Sequence, residues 1–498
     1  MLQLIINGKR AAFYPDASLS VQLKNSLLVE RKEDTTYPFT LPLSANRHIF
    51  DFPDIINNND FQRHYPATVM FGPYRILIGE VVITDISATE IELYISTDNR
   101  SFWGKYGSRY LDEYNLGSEL WSYNSFNASL KEYKPYVCVQ LYDPSFTEEG
   151  YYEHWYNRFD MVEVKLAGTL NGIKNNICPF LRLKEVIRLI FTTAGYHIVQ
   201  NETDNVPRFE DILIIFRHTF KTSSVFKYNE ALPHITIGNL LDECKNKFGL
   251  AFFVNEADKS VKILSSIHLR SDKLISLEIL DGLQKTIDSE LENKVYKFSD
   301  KSVSDQFVDA YQDKLSYLTG DENSENLDSV ECISTIVGAQ EKLEQFYPGI
   351  TDSSGEQVVL TTKYTLLSIN SEFENTEFRL AYYNGLVNRI QYTSGLGIDI
   401  DKYLVPEAAP SSIRSGGGCL LWNDPKSLYN FFHKIRCETD FSMTIDLEVK
   451  PDILMFINLQ DMFFYNVVCR NQRFIVKEQE IELFPDRISS HKITVIPI

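Results

Sequence analysis

The sequence predicts a mainly β chain with α+β inserts, divided into several domains. Three observations carry that reading. Apolar and polar residues alternate at period two near both ends of the chain, and two helix–Gly–strand runs follow each other in the middle. The chain has 498 residues, well beyond the roughly 250–300 at which a single hydrophobic core stops growing. The expected parts are small β-barrels or sandwiches combined with helix–Gly–hairpin modules.

Five units follow from shifts in pattern. Residues 1–100 read as an N-terminal β-barrel-like domain, 101–165 as an aromatic-rich insertion lobe, and 166–270 as an α+β domain. Residues 271–410 read as a second, β-rich and barrel-like domain, and 411–498 as a C-terminal helix plus strands.

The first unit opens with an apolar run, 2–6, that meets Asn7-Gly8, a strong two-residue hairpin signal. Residues 19–23 alternate cleanly, and 37–43 hold prolines that suit an edge strand or extended arm. After an irregular loop over 46–59, strands are expected at 67–71, 75–83 and 90–96.

The second unit changes character. Seventeen of residues 101–160 are Phe, Tyr or Trp, against 13% in the whole chain. In the third unit, Leu183, Val186, Ile187, Ile190 and Phe191 make a helical stripe that Gly195 ends. Thr236 is a good N-cap for a second stripe of Ile237, Leu240, Leu241, Cys244 and Phe248, which Gly249 ends. Residues 250–254 and 260–264 then form a hairpin.

Between 270 and 405 the pattern weakens. Residues 319–331 carry five acids and no base and read as a solvated loop, while 358–368 and 378–389 read as strands. The Ser/Gly run 411–418 reads as a flexible joint. Asp424 and Pro425 are placed to open a helix with Leu428, Phe431, Phe432 and Ile435 on its apolar face. Residues 443–449 alternate, 465–469 and 474–477 form a hairpin, and 480–483 and 492–496 close the chain as strands.

Composition narrows the function. The net charge of −19 argues against gripping nucleic acid, which needs clustered Lys and Arg to displace counterions. Simple solubility, or a passive acidic wall that repels phosphate, accounts for it. No stretch approaches the roughly 20 apolar residues of a membrane span, and the N-terminal run is too short for a secretory core. The chain is therefore expected to fold in the cytosol, or to leave by a route its N-terminus does not encode. Seven scattered cysteines without a CxxC read as buried free thiols in a reducing compartment.

Catalytic motifs are missing: there is no phosphate-binding G-x-x-x-x-G-K-[ST], no H-E-x-x-H and no G-x-S-x-G. Glycines 416–418 lack the flanking strand and helix of a phosphate loop and read as a linker. No catalytic, cofactor or metal residue is assigned. The candidate contact residues are the rings Trp103, Trp121, Tyr151, Tyr152, Trp155 and Tyr156. They suit core, a subunit interface or a glycan-binding surface. A cell-wall glycosidase is the enzymatic alternative, because Glu119, Glu148, Glu149 and Glu153 stand among these rings. Sugar hydrolysis needs two carboxyls about 5–5.5 Å apart for retention or about 6.5–9.5 Å for inversion.

The order of elements resembles tail hub, baseplate hub or tail-tip proteins of phages and related contractile injection systems. Residues 4–8 and the later run Ile78-Gly79-Glu80-Val81-Val82-Ile83 are similar to the opening of the hub's first barrel. Residues 180–196, and 232–241 continuing to 248–254, resemble its helix–Gly–hairpin unit. Together with 37–43 they resemble tail proteins in prophages of Bacteroidetes-type gut bacteria. The resemblance implies a structural, non-enzymatic virion protein that assembles in the host cytoplasm. It implies a ring with itself, trimer favoured over hexamer, that connects the tail tube to a spike or fibre and lines a channel for DNA or a tape-measure protein. A receptor-binding tail or surface protein that uses the aromatic lobe is the alternative.

Overall fold

Strands dominate the chain because its apolar residues recur mostly at period two. The computed structural model describes all residues except 26–27, 29–34, 55–63, 97–101, 121, 161–164, 167–173, 219–224, 257, 268–273, 281–283, 288–293, 347–359, 371–375, 389, 393–403, 439–441, 462–465 and 470.

Leu2–Ile6 turns back through Asn7 and Gly8, with φ +49° and +75°. Two successive positive φ values are what a type I′ hairpin requires, and Asn-Gly adopts them at little cost. Leu2–Ile6 also pairs with His64–Phe71, which continues through Tyr74–Ile86 to Glu90–Ser96. The extended arm becomes the strand Phe39–Pro42, paired with Glu90–Ser96.

The sheet then joins the two ends of the chain. Leu19–Lys24 lies antiparallel to Gln472–Leu483. Beyond it run Ile488–Pro497, Met443–Val449 and Gln284–Ile287. Among the described residues 14 strands form this sheet. One face is apolar: Leu4, Val69, Val81, Leu93, Val21, Ile481 and Val495 are fully buried in one core.

The two helix–Gly–strand units share a second sheet. Helix Leu183–Thr193 buries Val186, Ile187, Ile190 and Phe191, and Gly195 at φ +84° leads into His197–Asn201. Helix Ile237–Phe248 starts at Thr236, whose hydroxyl accepts from the Asn239 N–H at 3.1 Å. It stops at Gly249, φ +61°, and the hairpin Leu250–Asn255 with Ser260–Ser265 follows. His197–Asn201 pairs parallel to Ser260–Ser265, so the three strands make one sheet behind both helices.

A third sheet centres on Phe378–Asn388, flanked by Ile212–Ile215 and Leu404–Ala409. At its end the fully buried Arg379 donates to Asp305 and, at 2.7 Å, to Glu377. All seven cysteines are thiols outside any disulfide, six of them buried.

Three expectations need correction, and one helix is new. The Ser/Gly run 411–418 is a built turn: Ser412 N donates to Gly418 O at 2.9 Å and Gly417 N to Arg414 O at 3.0 Å. The acidic stretch 319–331 is a loop only in its first half, because Leu327–Cys332 pairs parallel with Val295–Asp300. The helix expected at Asp424 begins later, at Tyr429. Asp424 instead accepts from the Lys426 N–H at 2.9 Å, and a bridge from Cys419 to Ser427 keeps the intervening chain non-helical. Helix Ile453–Asp461 was not anticipated, because apolar residues occupy most of its turn rather than one stripe.

Candidate assembly surface

The face of the large sheet that points away from its core is polar and acid-rich. Alternation puts Glu478, Glu480 and Glu482 on that side of Gln472–Leu483, while Ile481 and Leu483 face inward. Register then aligns neighbours: Gln22 opposite Glu480, Lys24 opposite Glu478, and Ser20 opposite Glu482. On the other side stand Lys492 opposite Glu480, Glu448 opposite Lys492, and Asp446 opposite Thr494.

Five carboxylates therefore share the surface with the cations Lys24 and Lys492. Thr494 donates to Asp446 at 2.7 Å and Gln22 donates to Glu478. Partial burial, together with Glu478 and Glu482, pushes the Glu480 carboxyl up, against the pull of Lys492. A cleft of about 300 Å³ opens here between Asp446, Glu448, Glu478, Glu480 and Lys492. The exposed Tyr37 feels the same acids: partial burial, then Glu480 and Glu478, push its phenol up.

The ends of the sheet are open among the described residues. The strand order runs from Lys9–Arg10 at one edge to Gln284–Ile287 at the other. Every residue of Gln284–Ile287 is exposed, Ile287 at 57%. An unpaired edge carrying an exposed apolar side chain is a template for pairing with another chain.

The aromatic candidates are scattered over two cores. Trp103 is half-buried and meets Phe102 edge-on at 5.2 Å; Phe102 itself packs on Phe191 and Tyr196. Tyr156 is buried against Phe146, and Trp155 lies edge-on to Tyr142 at 5.6 Å. Tyr151 and Tyr152 are half-buried, and the Arg158 guanidinium covers Tyr152 at 5.1 Å and Trp155 at 5.5 Å. Trp121 lies outside the described residues.

The four candidate glutamates divide between two places. Glu119 accepts from the hydroxyls of Tyr136 and Tyr228. Glu148, Glu149 and Glu153 stand on the turn between Tyr142 and Trp155. Among the described residues no group of His, Cys, Asp and Glu is arranged to hold a metal ion. No described helix is long and apolar enough to cross a membrane.

No protein-family model and no curated protein matches the chain. Solved structures do. A 43 kDa tail protein of prophage MuSo2 from Shewanella oneidensis aligns over 99% of this chain and 97% of its own, at 8% identity and a TM-score of 0.38. A tail protein from Neisseria meningitidis aligns over 99% and 95%, at 7% identity and a TM-score of 0.37. A prophage tail protein from Listeria monocytogenes aligns over 99% and 94%, at 8% identity and a TM-score of 0.36. All three are tail proteins. At this level of likeness no residue role passes from them to this chain.

The acid-rich face and the open edge escaped sequence reading. Alternation in 478–482 marked an exposed face, but only pairing with Leu19–Lys24 and Met443–Val449 turns three separate segments into one surface.

Proposed function

We propose that the chain is a structural subunit of a phage tail or phage-like injection system. In this reading copies of it close into a ring at the tail tip, a trimer before a hexamer. The ring connects the tube to a spike or fibre, and its acid-rich sheet face lines the channel. One observation carries the reading: among the described residues, a 14-stranded sheet, apolar on one face and acid-rich on the other, is open at both ends of its strand order. Ring closure would pair such edges and remove their tendency to aggregate. An acidic lining would let DNA slide by without holding it.

Electron microscopy and mass measurement of the purified chain test this. A closed ring with interfaces above about 2,000 Å² is expected. Ile287→Lys, at the exposed edge, should weaken assembly and leave the melting temperature of the subunit unchanged. A strictly monomeric chain at high concentration would remove the proposal.

A receptor-binding role for the turn carrying Tyr152 and Trp155 is the second reading, favoured by the half-exposed rings there. Tyr152→Ala with Trp155→Ala should then abolish polysaccharide adsorption and leave assembly intact; unchanged adsorption would exclude it.

A further inference from the structure

Lys247, Asp300 and Glu243 form a charged cluster inside the protein that neither assembly nor glycan binding uses. Glu243 and Lys247 are four residues apart on helix Ile237–Phe248, so they share a face. Asp300 ends the strand Val295–Asp300. The Lys247 side chain is 2% exposed and that of Asp300 0%. Phe298, Trp422 and Cys332 wall the site, with Lys247 Nζ 5.5 Å from the Trp422 ring.

The contacts are specific. Lys247 Nζ donates to Asp300 Oδ1, and Trp422 Nε1 donates to the same oxygen at 2.8 Å. Asp300 Oδ2 is buried and has no hydrogen-bond partner among the described residues. Glu243 is held in place by the Ile333 N–H at 2.8 Å and by the Ser334 hydroxyl.

A buried ion pair offsets its desolvation only when the remaining lone pairs are satisfied, and here one carboxylate oxygen is orphaned. Burial pushes the Asp300 and Glu243 carboxyls up, towards their neutral forms. It also works against charge on Lys247, although the neighbouring Asp300 keeps that amine protonated more readily than usual. One proton passing from ammonium to carboxylate leaves an amine against a carboxylic acid. That pair is held in contact inside the core, which lowers the barrier to reaction.

We infer that Lys247 and Asp300 become joined by an intramolecular isopeptide bond, with Glu243 as the proton carrier. The Lys247 Nζ lone pair attacks Cγ of the protonated Asp300, and the electron pair moves to Oδ1, where the Trp422 N–H stabilises it. Glu243 takes a proton from the nitrogen and returns one to the hydroxyl at Oδ2. The Cγ–Oδ2 bond then breaks and water leaves. An amine and an acid become an amide and water, with no change of oxidation state. The product is neutral, and the orphaned oxygen is gone. The bond links residues 53 positions apart and ties the helix to the strand.

Mass spectrometry of the full chain under denaturing conditions tests this, whether or not the chain forms rings. The wild type is expected to be lighter than its sequence by one water. Digestion should yield a branched peptide joining Lys247 to Asp300. Asp300→Ala should restore the full mass. Glu243→Gln should also give the full mass, in a chain that folds by circular dichroism. Asp300→Asn should lose ammonia instead of water. A fully matured wild-type chain at its complete sequence mass overturns the inference, even where a variant fails to fold. A Glu243→Gln chain that still loses water overturns the role given to Glu243.

Discussion

Leu19 and Leu483 are direct antiparallel partners in one sheet, and both are fully buried, although they stand near opposite ends of the chain. Their pairing closes a loop of almost the whole chain, so the N-terminal strands share one core with the C-terminal ones. Leu19→Ala and Leu483→Ala should each cost about 2–5 kcal/mol, the usual range for emptying a buried leucine site. The double variant should fall short of the sum, because neighbouring truncations share their relaxation. Urea unfolding of the four chains measures this; independent, additive effects would contradict the pairing.

The second helix–Gly–strand unit makes a different prediction. A Cβ on Gly249 would lie 2.8 Å from the Phe432 Cβ and 2.6 Å from the Ser266 Oγ, at a backbone φ of +61°. Gly249→Ala therefore combines left-handed strain of roughly 1–2 kcal/mol with overlap. At the other end of the helix, Thr236→Ala removes only one cap and should cost about 1 kcal/mol. Thermal melts should rank Gly249→Ala as the more damaging change.

These two cases mark what was readable in advance. The Asn7-Gly8 turn, both helices and their glycine stops are local, and their chemistry is written in neighbouring residues. The partner of Leu19–Lys24 is not, because period-two alternation says which face is buried but not which strand lies alongside. Val295–Asp300 and Leu327–Cys332 show the same limit: Glu331 is exposed as an acid in a loop would be, yet the segment is a parallel strand. Buried charges were hidden for a related reason. Lys247 and Arg379 carry no sequence mark that separates them from surface cations, and only tertiary packing supplies Asp300 and Asp305 as partners.

His491 predicts a pH dependence. It is fully buried between Val449 and Ile481 on neighbouring strands, meets Phe456 edge-on at 5.7 Å, and lies 3.3 Å from Gln479 Oε1. Burial lowers its pKa from 6.5 to about 4, with Asp452 pulling weakly the other way. The unfolded chain therefore binds a proton that the folded chain refuses between these values. Stability is complete above pH 6.5 and falls as pH drops towards 4. At about 1.4 kcal/mol per pH unit the loss approaches roughly 3 kcal/mol. His491→Leu should flatten this part of the curve; an unchanged slope in denaturant titrations at several pH values would rule it out.

The acid-rich face predicts a trade between stability and repulsion of DNA. Glu478, Glu480 and Glu482 project from one strand on one side, and the raised Glu480 pKa reflects burial and their mutual repulsion. An acid whose folded pKa is raised destabilises the fold above that pKa, and relief comes as pH falls through it. Glu480→Gln should therefore stabilise the isolated chain at neutral pH by several tenths of a kcal/mol, on the order expected for adjacent like charges. Added salt should stabilise the wild type more than the variant, since screening weakens the same repulsion. Neutralising Glu478, Glu480, Glu482, Asp446 and Glu448 together should extend both effects and let short duplex DNA bind at low salt, where the wild type is expected to bind none. Melting curves over a salt series and a gel-shift titration measure the two halves. If the neutralised chain still excludes DNA, this face is not what keeps phosphate away.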